Sequence, residues 1–252
     1  MALEVFNRTE EKYIITDENY RVLRARLEEY MLPDVYCRSG EFYTICNIYY
    51  DTPDHQMIRH SIEKPIYKEK LRLRSYGTVY PKDKVYLEIK KKFNGYVNKR
   101  RCSMQLEDAC RYIATGKRAE GKRPFTEQVL REIDFILERY PDLAPALYLS
   151  YDRLALFGKE KEEFRITFDT NIRTRRYELG LDKGNYGELL LPQGLRIMEA
   201  KTNHAMPYWF TGMLSEYRIY PVNFSKYGEE YRQSLQQGEL SLLSAGRNRM
   251  CV

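Results

Sequence analysis

From Lys68 to Arg74 every second residue is a cation, Lys68, Lys70, Arg72 and Arg74, while Leu71 and Leu73 lie between them. On an extended chain a period of two places the four charges on one face and the leucines on the other. Glu88, Lys90 and Lys92 repeat the pattern opposite Leu87 and Ile89, with Lys91 as an exception. Glu163, Arg165, Thr167 and Asp169 oppose Phe164, Ile166 and Phe168; Glu199 shares a face with Lys201, and Arg153 with Tyr151. One such strand reads as a solvated face of an antiparallel sheet. Five do not read that way, because solvated faces mix signs to limit repulsion, whereas Lys68 to Arg74 concentrates one sign. The chemistry of this set is phosphate chemistry. Arginine forks bind phosphate oxygens in pairs, lysines add point charge, and carboxylates such as Glu10, Glu88 and Glu199 can hold Mg²⁺ or Mn²⁺ on the same oxygens.

The charge is also local. Of 252 residues, 42 are Lys or Arg and 36 Asp or Glu, a formal net charge of +6. The segment 64–101 holds 13 basic residues against three acidic ones, so it carries +10 and the rest of the chain −4. That asymmetry points to an anionic partner at one place. A composition of 43% hydrophobic and 13% aromatic residues excludes a disordered or collagen-like chain. The apolar runs are far too short for a membrane span, and MALEVFNRTEEK lacks the apolar stretch of a secretory signal, so the expected location is cytoplasmic. Five cysteines show no C-x-x-C spacing and are read as reduced packing thiols, Cys46 among them.

Elements that must position these residues are legible in the pattern. Residues 10–16 read as a strand, with Thr16-Asp17 capping a helix through Tyr20, Leu23 and Leu27. The segment YTICNIYYD, 43–51, reads as a strand, and Thr52-Pro53-Asp54 as the cap and first turn of a short helix. Strands follow over 66–76, 85–93 and 97–106, the last two joined by Asn94-Gly95. Helices are expected over 106–115 and 125–140, strands over 147–156, 163–172, 189–191 and 195–202, then helices around 208–217 and 225–235. Hairpin-linked strands with helices between them favour an α+β fold, a closed antiparallel barrel or strongly curved sheet with flanking helices. Residues 1–238 read as one domain and 239–252 as a loose tail.

Taken in order, RTEEKY (8–13), NIYYDTP, KLRLRSYG (70–77), YLEIKKK with NKRR, LYLSYDRLAL, RITFDTNIR, MEAKT and NFSKYGEEY resemble the VTC-type polyphosphate polymerase domain of the triphosphate tunnel metalloenzyme superfamily. The resemblance covers residues 8 to about 231. It implies an eight-stranded tunnel in which ATP lies along basic walls and its γ-phosphate extends an inorganic polyphosphate chain, releasing ADP. It implies phosphate contacts at Lys12, Arg72, Arg74, Lys90, Lys99, Arg153, Arg165 and Lys226, a metal-binding carboxylate at Glu199, and a nucleotide-base contact at Tyr151. Lys70, Lys201 and Arg100 join the expected substrate contacts, the alignment around Lys99 to Arg101 shifting by one position. Glu10 or Glu88 is expected to be the second metal ligand. Hydrolytic tunnel enzymes begin with E-x-E-x-K; here Arg8-Thr9-Glu10-Glu11-Lys12 replaces one carboxylate with Arg8 and favours the polymerase branch. The K-F-S-K motif reads Asn223-Phe224-Ser225-Lys226, one cation fewer. The sequence resembles a free-standing bacterial-type form, without the fused phosphate-sensing domain or membrane helices of the eukaryotic complex.

Transfer of a phosphoryl group requires positioning and charge neutralisation, which a site of Lys, Arg and one metal supplies without a side-chain nucleophile. His55, His60 and His204 are assigned surface or capping roles. Two other readings remain: a tunnel triphosphatase that passes the γ-phosphate of ATP or tripolyphosphate to water, and a non-catalytic module binding polyphosphate or RNA. Glu199 beside Lys201 argues against the binding module, since a pure anion binder gains nothing from a carboxylate, and no nucleic-acid partner is expected.

Overall fold

The computed structural model describes residues 9–37, 40–94, 96–118, 124–160 and 163–240. Strand β1 (Thr9–Thr16) leads into α1 (Asp17–Leu27), followed by β2 (Met31–Pro33), a single 3-10 turn, β3 (Tyr43–Asp51) and α2 (Gln56–Ile62). Then come β4 (Tyr67–Tyr76), β5 (Lys84–Phe93), β6 (Tyr96–Gln105), α3 (Leu106–Thr115) and α4 (Pro124–Arg139). The chain continues through β7 (Ala144–Gly158), β8 (Arg165–Arg175), β9 (Glu188–Leu189), β10 (Leu195–Thr202), α5 (Tyr208–Glu216) and α6 (Lys226–Gln236).

Local chemistry sets several of these boundaries. The Thr16 hydroxyl accepts from Asn19 N at 3.1 Å, with Asp17 and Glu18 in the positive first turn of α1. Ser225 caps α6 in the same way, accepting from Gly228 N at 3.2 Å. Helix α3 stops at Gly116, whose φ of 69° is left-handed and free of strain for glycine. Helix α2 differs from expectation: it starts at Gln56, after a turn in which His55 is left-handed. Its first N–H groups, which have no partner within the helix, find their acceptor on the preceding strand, where the Asp51 carboxylate accepts from Met57 N at 2.8 Å and Ile58 N at 3.0 Å. Thr52 supplies a second acceptor, for Gln56 N at 2.8 Å.

The strands hydrogen-bond in the order β1-β10-β8-β7-β3-β4-β5-β6, with β2 on β7 and β9 on β8. Every ladder whose register is given is antiparallel. The path has the eight strands expected, and the α+β class holds, but the expectation of a closed barrel does not. The path starts at β1 and ends at β6, and no ladder among the described residues joins them. Strand β6 carries Lys99, Arg100 and Arg101, the kind of charge that keeps a terminal strand from pairing further.

The chain divides into two compact units. The first comprises residues 1–45, 150–173 and 186–224. Its core is the apolar face of β1, β8 and β10, with Tyr13, Ile15, Ile166, Phe168, Met198 and Ala200, packed with Leu23 and Leu27 of α1 and Phe210 of α5. The second comprises residues 46–149, 174–185 and 225–252. There Leu71, Leu73, Val85, Leu87 and Ile89 of β4 and β5 pack with Ala109 and Tyr112 of α3 and Val129, Ile133 and Ile136 of α4. Each fully buried Val, Leu, Ile, Phe or Met side chain contributes about 1.5–3 kcal/mol. Covering one face of each sheet segment with apolar residues commits the alternate residues to the other face. No helix among the described residues is long and apolar enough to cross a membrane. The expected tail lies outside the described residues from 241 onward, as do Arg8, Gly95 and Cys251.

Candidate functional site

In the second unit, antiparallel pairing lines the polar side chains into rows. Lys70 of β4 is opposite Lys90 of β5, which is opposite Lys99 of β6; the next row is Arg72, Glu88 and Arg101; Lys68 is opposite Lys92. Like charges directly across strands repel. This face thus carries Lys68, Lys70, Arg72, Arg74, Lys84, Lys90, Lys92, Lys99 and Arg101 with one carboxylate, Glu88, among them.

Glu88 is 1% exposed and three of the cations converge on it. Arg72 Nε donates to Glu88 Oε2 at 2.8 Å, Lys99 Nζ stands 2.7 Å from Oε1, and Arg74 lies at 3.7 Å. Burial alone would raise the Glu88 pKa, but Arg72, Arg74 and Lys99 outweigh it and hold the carboxyl well below its usual range. For Lys99, desolvation and the two guanidiniums outweigh the attraction of Glu88 and push the ammonium down to about 7. Surrounding residues fix these cations in turn. Arg72 Nη1 donates to the Tyr49 hydroxyl at 3.1 Å, and Arg74 Nε donates to Asn47 Oδ1 at 2.9 Å. Burial would raise the Tyr49 pKa, but Arg72 and Arg74 outweigh it and lower it. Lys70 Nζ donates to Ser225 Oγ at 3.1 Å and lies over the Tyr227 ring, whose hydroxyl donates to Asp51 at 3.0 Å. Lys226 is the first residue of α6, directly after the Ser225 cap.

Sequence reasoning passed over Asn47, Tyr49 and Asp51. Their signal was the period of two, which puts Asn47, Tyr49 and Asp51 on one face of the strand 43–51. Arg100 is not part of the cationic face. It pairs with Ile89 in register, on the helix-covered face, and lies 3.7 Å from Glu132 of α4, which also binds Lys91 at 2.9 Å. The exception at Lys91 therefore has a partner built for it.

In the first unit the rows run β1-β10-β8: Glu10, Lys201 and Arg165, then Lys12, Glu199 and Thr167. Lys12 Nζ donates to the Phe224 carbonyl at 3.0 Å, and lies 3.3 Å from Glu10 and 3.9 Å from Glu199. Lys201 bridges the same two carboxylates, 2.9 Å from Glu199 and 3.7 Å from Glu10. Arg153 forks onto Asp169, lies 3.7 Å from Glu199, and stacks over Tyr151 at 5.0 Å. Burial works against its charge, but Asp169, Tyr151 and Glu199 outweigh burial and raise the Arg153 pKa further. Arg165 lies over the Phe157 ring at 4.2 Å. Glu163 precedes β8 and stands 3.9 Å from exposed His204.

Among the described residues no group of three or more His, Cys, Asp or Glu is placed to hold a metal. Glu10 and Glu199 nevertheless share two ammonium partners, and a pair of carboxylates completed by substrate oxygens is the donor set that suits Mg²⁺ or Mn²⁺. Glu88 fits a metal poorly, because two guanidiniums and an ammonium already neutralise it. A cavity of about 550 Å³, lined by Ile113, Arg118, Asp134 and Leu137 between α3 and α4, contains none of the cations described above.

The family model described as the VTC domain matches residues 7–235. Among solved structures, a candidate adenylate cyclase from Bacillus halodurans is 14% identical with a TM-score of 0.51, the alignment covering 86% of this chain and 92% of that one. At this identity the likeness is one of fold. A candidate adenylate cyclase from Vibrio parahaemolyticus is 12% identical, with a TM-score of 0.44 over 91% of this chain and 97% of its own. A candidate adenylyl cyclase from Hippeastrum, described as having a dominant triphosphatase activity, is 15% identical, with a TM-score of 0.47 over 93% and 98%. No curated protein sequence matches the chain.

Proposed function

Because the chain belongs to the VTC domain family, we propose that it is an inorganic polyphosphate polymerase that transfers the γ-phosphate of ATP to a growing chain. The observation that carries this reading is the β4-β5-β6 face, where nine cations share one side of three strands with a single carboxylate. Repulsion among those cations is relieved by a ligand with closely spaced negative charges, and a phosphate chain is such a ligand.

In the second unit, Arg72 and Arg74 bind phosphoryl oxygens with the guanidinium edges that Glu88, Tyr49 and Asn47 orient, and Lys70, Lys90, Lys99 and Lys226 add charge. In the first unit, Lys12, Arg153, Arg165 and Lys201 do the same, and Tyr151 contributes a base contact. Glu199 and Glu10 hold the divalent cation. When bound, that ion neutralises phosphoryl oxygens as a Lewis acid. A terminal oxygen of the polymer forms a bond to the γ-phosphorus as the bond to the β,γ-bridging oxygen breaks, and the electron pair leaves with ADP. No side-chain nucleophile enters, and the protein's contribution is orientation and charge.

The test is incubation of purified protein with ATP and Mn²⁺, with and without a short polyphosphate primer, following ADP, free phosphate and polymer length. A ladder of long polymer with ADP and little free phosphate is expected. Free phosphate without polymer would make the enzyme a triphosphatase; tight polyphosphate binding without turnover would make it a binding module.

A further inference from the structure

Thr167 completes the row that Lys12 and Glu199 begin, so an ammonium, a carboxylate and a hydroxyl lie side by side on one face of β1, β10 and β8. Its side chain is buried, with 8% of the residue exposed, and Oγ1 has no hydrogen-bond partner among the described residues. Burying a hydroxyl without an acceptor forfeits its hydrogen bonds to water with no return, and most buried polar atoms avoid it. The nearby carboxylates do not accept from it. Glu199, its register partner, faces Lys201 and Arg153, and Asp169 takes the fork of Arg153. On this unit's face, Lys12, Lys201, Arg153 and Arg165 outnumber Glu10, Glu199 and Asp169 by one charge, a positive excess that suits a phosphate chain lying beside the Glu10 and Glu199 pair.

We propose that Thr167 Oγ1 is a substrate contact, donating a hydrogen bond to a non-bridging oxygen of the bound phosphate chain. This rests on the reading that the face binds phosphate, and adds a neutral donor that a charge pattern cannot reveal. A hydroxyl contributes direction: its hydrogen must meet an oxygen at about 2.5–3.0 Å, whereas the surrounding cations tolerate a range of positions. It also ties affinity to stability with opposite sign. The ligand-free protein carries the cost of the unpaired hydroxyl, and the ligand removes it.

The experiment compares wild type with Thr167→Val, which keeps the β-branched shape without the hydroxyl, and Thr167→Ser, which keeps the hydroxyl. Binding of inorganic tripolyphosphate is measured by calorimetry in EDTA, and ligand-free stability by thermal denaturation. The expected result is that Val weakens binding about 5- to 20-fold with an unchanged or raised Tm, while Ser binds within about threefold of wild type. Binding within twofold of wild type for Val, or a ligand-free Tm several degrees lower with affinity kept, would overturn the proposal and make Thr167 structural. If Thr167→Val does not fold, Thr167→Ala takes its place on the same two readouts. Failure of the wild type itself to bind tripolyphosphate would instead refute the phosphate reading of the face.

Discussion

Arg153 and Asp169 form a two-pronged ion pair, Nε to Oδ1 at 2.6 Å and Nη2 to Oδ2 at 2.7 Å, with Asp169 fully buried. The pair orients the guanidinium toward Glu199, 3.7 Å away. Asp169→Asn removes the charge that keeps a buried cation stable. Breaking such a pair from one side costs about 3–5 kcal/mol. We expect a fall in the denaturation midpoint and, in the folded fraction, a kcat/KM lower by about a hundredfold. Urea denaturation with steady-state ADP release measures both, and unchanged stability would show that Arg153 does not depend on Asp169.

The carboxylates separate by their partners. Glu199→Gln and Glu10→Gln should each raise the Mn²⁺ concentration for half-maximal turnover about tenfold or more. Glu88→Gln should leave that concentration unchanged while lowering stability, because Arg72, Arg74 and Lys99 lose their shared counter-ion. A metal titration shifted by Glu88→Gln would return Glu88 to the metal site.

Lys99 predicts a pH dependence. Its ammonium is pushed down to about 7, so the cation is present below that pH and lost above it. Tripolyphosphate affinity should therefore fall as pH rises from about 6 to about 8.5. Lys99→Met should bind more weakly at the lower pH and flatten the profile. An equally steep profile in the variant would assign the titration to another group.

Arg72 and Tyr49 test the difference between contact and orientation. Arg72→Ala should lower kcat/KM about a thousandfold with an unchanged far-ultraviolet spectrum. Tyr49→Phe removes only the hydroxyl that accepts from Arg72 at 3.1 Å, and should cost about tenfold, with an Arg72→Ala background abolishing its effect. An effect of Tyr49→Phe that persists without Arg72 would show that the hydroxyl acts elsewhere.

Short-range physics made much of the molecule readable. Alternation placed Lys68 to Arg74 and Glu88 to Lys92 on strands, and the Thr16 cap and the Asn94 turn marked element ends, because each depends on neighbours within a few residues. Arg100 shows the limit: a run of three cations, Lys99 to Arg101, cannot reveal which member faces the polar side until pairing with β5 sets the register. Asp51 shows another. In the sequence it ends a strand, while in the fold its carboxylate caps α2 and accepts from Tyr227, 176 residues away.

By itself the sequence determined the strand and helix periods, the concentration of cations in one segment and the motif order of a VTC domain, since these are properties of residue types and spacing. Tertiary structure alone decided that no ladder among the described residues joins β6 to β1, that Glu88 is consumed by three cations, and that Glu10 and Glu199 share Lys12 and Lys201. The physical reason is the same in each case: strand pairing and charge partnership join residues far apart in the chain, and the geometry that selects one partner over another exists only after the chain has folded.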